Sequence, residues 1–364
     1  MSNKILSGIS VLIILLLIGF GFFMQQEDET VDTDLVEYED TGIYLDTVNT
    51  IRVYAASEEE GKTAVDQVFE RLQEIDRKLS IYDEDSEISA VNQQAGKESV
   101  EVSRKTYEIL EDSIHYAREL EGSFDPSIGA LTLLWGWGSE EGPSVPDEEE
   151  VRETLDFVDY NKIEMQENNN QVSLAEEGMR LDLGAIAKGY ASVEARQVLK
   201  DNNIDSAFVN LGGNITLMGM KPDETPWRIG IQHPRSDRGE VMAAVDVDEE
   251  ELETSEAVVT SGDYERYFEE DGEEYHHIID PETGYPTVHE IISTTIVTDD
   301  PIKADAYSTG VLVRGMDGLE FVEETENMEA VFISENLDVF ATSGVRDRLE
   351  LFDEEFEMVD MEEI

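Results

Sequence analysis

The sequence predicts a protein that mixes β-strands and helices in two lobes, held to a membrane by one N-terminal transmembrane helix. Three observations predict it. Ile5 to Met24 is a run of 20 residues without a charge, and as a helix it covers the roughly 30 Å of a bilayer's hydrocarbon. Beyond that run, apolar alternation of the strand type (Ile51-Arg52-Val53-Tyr54) is interspersed with helical spacing (Val65, Val68, Phe69, Leu72, Ile75, Leu79). Apolar residues make up 40% of the chain, enough for one large core or two smaller ones, so 86 Asp plus Glu against 25 Lys plus Arg do not make it a disordered acid.

Taken in chain order, residues 1–24 read as a membrane anchor or uncleaved signal. The bulky Gly21-Phe22-Phe23-Met24-Gln25 offers no small-x-small cleavage site. Lys4 is the only side-chain cation near either end of the run, and acids follow it, which places Met1 inside and the bulk of the chain on the extracytoplasmic side of the cell membrane. With no cysteine, a lipid anchor on Cys, disulfides, thiolate metal sites and a cysteine nucleophile are all excluded. Residues 25–41 hold eight acids and no base, which reads as a solvated linker, and residues 350–364 repeat that composition as an acidic tail. Between them, residues 42–349 form the folded part. Gly142 to Pro146 is a turn-rich break before an acid-led helix start at Asp147 to Glu150, and is read as a joint between the two lobes.

The formal charge of −61 excludes nucleic acid as a partner, because affinity for a phosphate backbone comes from clustered Lys and Arg. It reads as a solvated surface. Self-repulsion of that size strains a compact state in dilute buffer, whereas at 1 M salt the Debye length shrinks to about 3 Å, so a high-salt habitat is expected.

Three segments concentrate chemistry. Met179 to Lys200 reads as a short strand, a turn with Gly184 and Gly189, and a helix, carrying Arg180, Lys188, Arg196 and Lys200 against Asp182 and Glu194. Free N–H groups at such a turn suit an anion; an ordinary glycine turn before a surface helix fits the same residues. Ala304 to Gly310 puts Asp305 and Thr309 four apart on one helical face. Carboxylate and hydroxyl, completed by a carbonyl, form a hard-oxygen set suited to Mg²⁺, although on these residues alone capping and internal hydrogen bonding near a helix start is the simpler account. Tyr275 to Pro286 carries His276 and His277 beside an Asp-Pro turn, a place for proton transfer or for a structural histidine. Neighbouring side chains on a strand point oppositely, so only one of the two enters a given site. Asn210 to Asn214 and Phe124 to Gly129 add glycine-bearing turns of the kind that line clefts.

In this order the segments resemble the ApbE family, the FAD:protein FMN transferases. The resemblance rests on YLDTVNTIRVY (Tyr44 to Tyr54), LSIYDEDSEISAVN (Leu79 to Asn92), GSFDPSIGALTLLWGWG (Gly122 to Gly138), RLDLGAIAKGYA (Arg180 to Ala191), VNLGGNI (Val209 to Ile215), TSGDYERYF (Thr260 to Phe268), HIIDPETGYP (His277 to Pro286) and ADAYSTG (Ala304 to Gly310). It implies an α+β fold with the flavin in a cleft. It also implies an enzyme that moves FMN from FAD to a Thr or Ser hydroxyl of an acceptor protein through a phosphoester, releasing AMP. The acceptor it implies is a subunit of an ion-pumping or electron-transfer membrane complex. Carried over by position, Leu45, Tyr82, Ser123, Phe124, Asp125, Asp182, Lys188 and Ile279 would contact FAD; Asp305, Thr309 and the Ala185 carbonyl would hold Mg²⁺; His277 would accept the hydroxyl's proton. An exported FAD-binding carrier and a Mg²⁺-dependent FAD pyrophosphatase are the rival readings.

Overall fold

The computed structural model describes residues 35–139, 142–237, 239–247 and 256–360. The anchor expected at residues 1–24 lies outside them, as do the first ten residues of the expected linker. Nine strands build the main sheet, in the spatial order β1 (Val36–Tyr44), β2 (Thr47–Ala55), β6 (Ser206–Leu211), β7 (Asn214–Met218), β10 (Glu256–Gly262), β13 (Ile291–Thr298), β14 (Met328–Ser334), β15 (Asp338–Ala341) and β17 (Glu357–Met358). All neighbours run antiparallel except β15 and β17. Three smaller sheets accompany it: β16 (Leu349–Leu351), β9 (Val241–Val247) and β8 (Trp227–Gln232); β3 (Val100–Glu101), β5 (Gln171–Leu174) and β4 (Ile163–Gln166); and the pair β11 (Tyr267–Glu270) and β12 (Glu273–His276). The expected mixture of helix and strand is what the chain forms.

Helices cover one face of the main sheet. Helix α1 (Glu58–Leu79) turns Val65, Val68, Phe69, Leu72, Ile75 and Leu79 inward, the stripe its spacing predicts, and Ser57 caps it by accepting the Glu60 N–H at 3.3 Å. Helices α6 (Ala187–Asp201) and α7 (Pro301–Arg314) lie beside it, and α8 (Met316–Glu323) packs on β14. The opposite face is covered by β8, β9 and β16, where Leu217, Val258, Val297 and Val331 of the main sheet meet Trp227, Ile229 and Val245. A strand covered on both faces needs no polar side, and every residue of β13 is buried. The other helices are α2 (Glu87–Gln93), α3 (Arg104–Glu119), α4 (Gly129–Leu134), α5 (Glu148–Leu155) and α9 (Ser343–Arg346).

Three boundaries differ from the sequence reading. Residues 36–41 are not linker but the first positions of β1, an edge strand whose Glu37 accepts from the Tyr54 hydroxyl at 2.9 Å and whose Glu39 pairs with Arg52 at 2.7 Å. An edge strand accepts dense charge because water meets it on one side, so composition alone mistakes it for coil. The acidic tail also folds: Leu349 to Leu351 pairs with β9, Phe356 is buried, and Glu357–Met358 pairs with β15. Finally, the break at 142–146 joins no lobes. Trp135, Trp137 and Val151, on its two sides, share one apolar cluster with Ile279, so the segment is a turn within one packed unit. The helix start after it does form, with Asp147 and Glu150 making a reciprocal capping box on α5.

Candidate active site

A cleft of about 530 Å³ opens where the β1–β2 turn, the loop before α4, the turn before α6 and the segments flanking β11 and β12 converge. That volume is within the range of small-molecule sites. Leu45, Tyr82, Ser123, Phe124, Asp125, Asp182, Ala185, Lys188, His277, Ile279 and Thr309 all line it. Asp305 lies directly behind Lys188, only 2% exposed. Residues as far apart in sequence as Ile43 and Thr309 thus share one cavity.

The lip is a two-residue hairpin turn in which Leu45 and Asp46 both take positive φ, 53° and 56°. Such turns ordinarily use Asn-Gly, and two residues with side chains there carry strain. Side-chain bonds hold it: Asn49 Nδ2 donates to the Tyr44 carbonyl at 2.9 Å and to the Thr47 carbonyl at 3.1 Å, and Asp76 accepts the Leu45 N–H at 3.3 Å. Across the cleft, the Tyr82 ring lies on the backbone of Gly138, where a Cβ would come within 2.4 Å of it. Burial and the nearby Asp182 carboxylate raise the Tyr82 pKa, keeping its hydroxyl a hydrogen-bond donor.

The loop from Ser123 to Gly129 is braced against residues 180–182. Asp182 N–H donates to the Pro126 carbonyl at 2.9 Å and Gly129 N–H to the Arg180 carbonyl at 3.1 Å, so in place of the expected strand Arg180 alone makes an isolated bridge, with Ile128. Asp125 is spent on its own loop. Its Oδ1 accepts from the Ser127 amide and hydroxyl at 2.8 and 2.6 Å, and its Oδ2 accepts the Tyr160 N–H at 3.0 Å. Burial raises its pKa and those bonds oppose the rise. Its carboxylate is therefore a structural brace, although the residue does line the cleft.

Helix α6 begins at the cleft and crosses α7 closely. At Gly189 a Cβ would lie 2.3 Å from the Pro301 carbonyl, so only glycine permits this approach. The contact delivers Asp305: one carboxylate oxygen accepts the Gly189 N–H at 2.8 Å and the other faces Lys188 Nζ at 3.3 Å. Capping does not explain Asp305, because Asp300 caps α7 by accepting from Ile302 and Lys303 N–H at 2.9 and 3.1 Å. One turn on, the Thr309 hydroxyl lies 3.3 Å from that of Ser261, which in turn is 2.8 Å from Ser308.

The two histidines, the last residue of β12 and the first one after it, take different surroundings. His276 is committed on both nitrogens, accepting the Ile278 N–H at 3.2 Å through Nδ1 and facing the Thr287 carbonyl at 2.8 Å through Nε2. His277, half-buried, turns to the cleft and sits 6.1 Å edge-on from Trp137. Its Nδ1 is 3.2 Å from the Arg266 carbonyl, an acceptor only, so Nδ1 carries the proton and Nε2 is left bare. Burial, with the charges of Arg266, His276 and Lys188, holds its pKa below the ordinary imidazole value.

Local charge misled in one respect. Of the four cations between Met179 and Lys200, only Lys188 lines the cleft. The second cleft cation, Arg266, comes from the loop after β10, and Ser261, Trp137, Asp76 and Glu265 join the lining with it. Arg266 and Ser261 lie in the stretch Thr260 to Phe268, one of those that carry the family resemblance, which was the available signal.

The family model described as "ApbE family" matches residues 45–332. A protein of Treponema pallidum named FAD:protein FMN transferase is 35% identical over 335 residues, 88% of this chain and 91% of its own length. The crystal structure of the ApbE protein of Thermotoga maritima superposes with a TM-score of 0.78 at 33% identity, covering 86% of this chain and 99% of that one. The flavin transferase ApbE of Vibrio cholerae gives 0.75 at 28% identity, with 86% and 99% covered. The family model spans most of the chain and the Treponema protein is matched over nearly its whole length, so this chain belongs to the ApbE family.

Proposed function

We propose that this chain transfers the FMN moiety of FAD to a Thr or Ser hydroxyl of an acceptor protein, forming a phosphoester and releasing AMP. One observation carries the reading: a histidine with a bare Nε2, a threonine hydroxyl and a lysine backed by the buried Asp305 carboxylate meet at one cleft in a chain whose curated relatives are named FAD:protein FMN transferases. In the reaction His277 Nε2 takes the hydroxyl's proton, the freed oxygen attacks the flavin-side phosphorus, and the bond to the AMP phosphate breaks. Lys188 is placed to meet phosphate oxygens.

Mg²⁺ fits the residues present. The cleft lining has five acids, Asp46, Asp76, Asp125, Asp182 and Glu265, against Lys188 and Arg266, so a pyrophosphate entering it needs further positive charge. Among the described residues no three His, Asp or Glu cluster as a metal site, and the mixed set of Asp305, Thr309 and the Ala185 carbonyl is the hard-oxygen alternative. Bound there, Mg²⁺ would neutralise phosphate charge and ease departure of AMP.

The test is mass spectrometry of candidate acceptors incubated with this chain, FAD and Mg²⁺. The expected result is an added FMN mass on Ser or Thr. Free FMN plus AMP without a covalent adduct would mark a pyrophosphatase, and intact FAD a carrier.

Placement at the membrane belongs to the same reading. The reading puts the domain on the extracytoplasmic side of the cell membrane, anchored through residues 1–24 and within reach of a membrane redox-complex subunit; among the described residues no helix is long and apolar enough to cross a membrane. The charge of −61 is read as an adaptation to high salt. The melting temperature is expected to rise from dilute buffer to molar KCl, and a flat or falling curve contradicts that habitat.

A further inference from the structure

Arg266 stands out among the cleft residues. It closes a loop pinned on both sides: Asp263 is gripped by Arg235 at 2.7 and 2.9 Å and donates its N–H to the Ile292 carbonyl at 3.0 Å, and the Tyr264 hydroxyl lies 3.2 Å from Ser293. The Arg266 carbonyl faces both the His277 amide, at 3.0 Å, and His277 Nδ1, at 3.2 Å. One residue therefore sets the rotamer and tautomer of the base. Its guanidinium is exposed and lines the cleft, and no ion pair engages it among the described residues, although the chain has 86 acids and 25 bases. The other cation of the lining, Lys188, is already held by Asp305. The charge of Arg266 is felt at both His277 and Tyr82, which line the same cleft.

We propose that Arg266 grips the flavin-side phosphate of FAD, the phosphorus under attack, with its guanidinium while its carbonyl aims His277 at the incoming hydroxyl. The inference rests on the transfer reading above. A planar fork matches two non-bridging phosphate oxygens, as an ammonium does not. In the balanced step the acceptor oxygen bonds to that phosphorus, its proton passes to His277 Nε2, and AMP departs with the electrons of the broken P–O bond. Arg266 stays on the two oxygens that remain with FMN.

Flavin-fluorescence titrations of wild type, R266A and R266K with riboflavin and FMN, and calorimetric titrations of the same chains with AMP, test this, because riboflavin and FMN differ only by that phosphate. R266A is expected to lose about 10- to 100-fold in FMN affinity, the scale of a charge-assisted hydrogen-bonded contact, with riboflavin affinity unchanged. R266K is expected to recover part of it, since charge returns without the fork. Unchanged riboflavin binding also reports an intact cleft. An R266A chain that keeps the wild-type ratio of FMN to riboflavin affinity overturns the proposal, as does a loss confined to AMP, which would put Arg266 on the leaving group. A wild-type chain that binds no flavin overturns the transfer reading itself.

Discussion

Asp305→Ala is expected to abolish covalent FMN transfer, reducing it by about 10³-fold or more, the scale of losing a metal's several kcal/mol of charge stabilisation. The side chain is 2% exposed and meets two groups at once, the Gly189 N–H at 2.8 Å and Lys188 Nζ at 3.3 Å. Truncation therefore removes the carboxylate from the proposed Mg²⁺ set, leaves a buried amide without its acceptor and frees the Lys188 ammonium. The first effect is catalytic and the others structural, so Asp305→Asn is the needed partner experiment. Its amide oxygen can still accept from Gly189, which keeps the α6–α7 junction, but the charge is gone. Both variants are expected to lose transfer, with the melting temperature falling more in Ala than in Asn. Gel fluorescence of the acceptor reads transfer directly, and a wild-type signal from either variant would end the metal assignment.

His277→Ala is expected to slow transfer by roughly 10² to 10⁴-fold, the range for losing a positioned general base, while FAD affinity stays close to wild type. The geometry behind this is the 3.2 Å contact of Nδ1 with the Arg266 carbonyl, which leaves Nε2 free to take a proton. The pH profile gives a second reading. Burial first, then the positive neighbours Arg266, His276 and Lys188, hold the folded pKa below 6.5. A depressed value means that the neutral, proton-accepting form survives as pH falls through 6.5 and is lost only beneath it. The acid limb of kcat/KM for FAD, which reports the free enzyme, should therefore lie well below pH 6.5. A limb at or above that value would contradict the buried, neutral imidazole, and loss of FAD binding in the Ala variant would make His277 a positioning residue.

Much of this site could be read before any fold was known, and the reason is local. Helical spacing in α1, the glycine turn before α6 and the Asp305–Thr309 pair involve residues within a few positions of one another, where backbone geometry alone decides which share a face. The misreadings arose where that condition failed. Acid-rich residues 36–41, 349–351 and 357–358 become strands because other segments of the chain pair with them. Arg180, Arg196 and Lys200 raised the local charge beside Lys188, yet α6 and the turn before it carry them away from the cleft lining.

By itself, then, the sequence determined the family, the order of the strand and helix segments and the residue types proposed to meet phosphate and Mg²⁺. Only the tertiary structure decided which of His276 and His277 faces the cleft, that Asp305 holds Lys188, that Asp125 braces its own loop, and that Arg266 enters the site from a distant loop. The physical reason is range. Propensity and periodicity act between near neighbours, whereas burial, charge balance and hydrogen-bond partnership depend on surfaces that meet only when segments more than a hundred residues apart pack together, as Lys188 and Asp305 do.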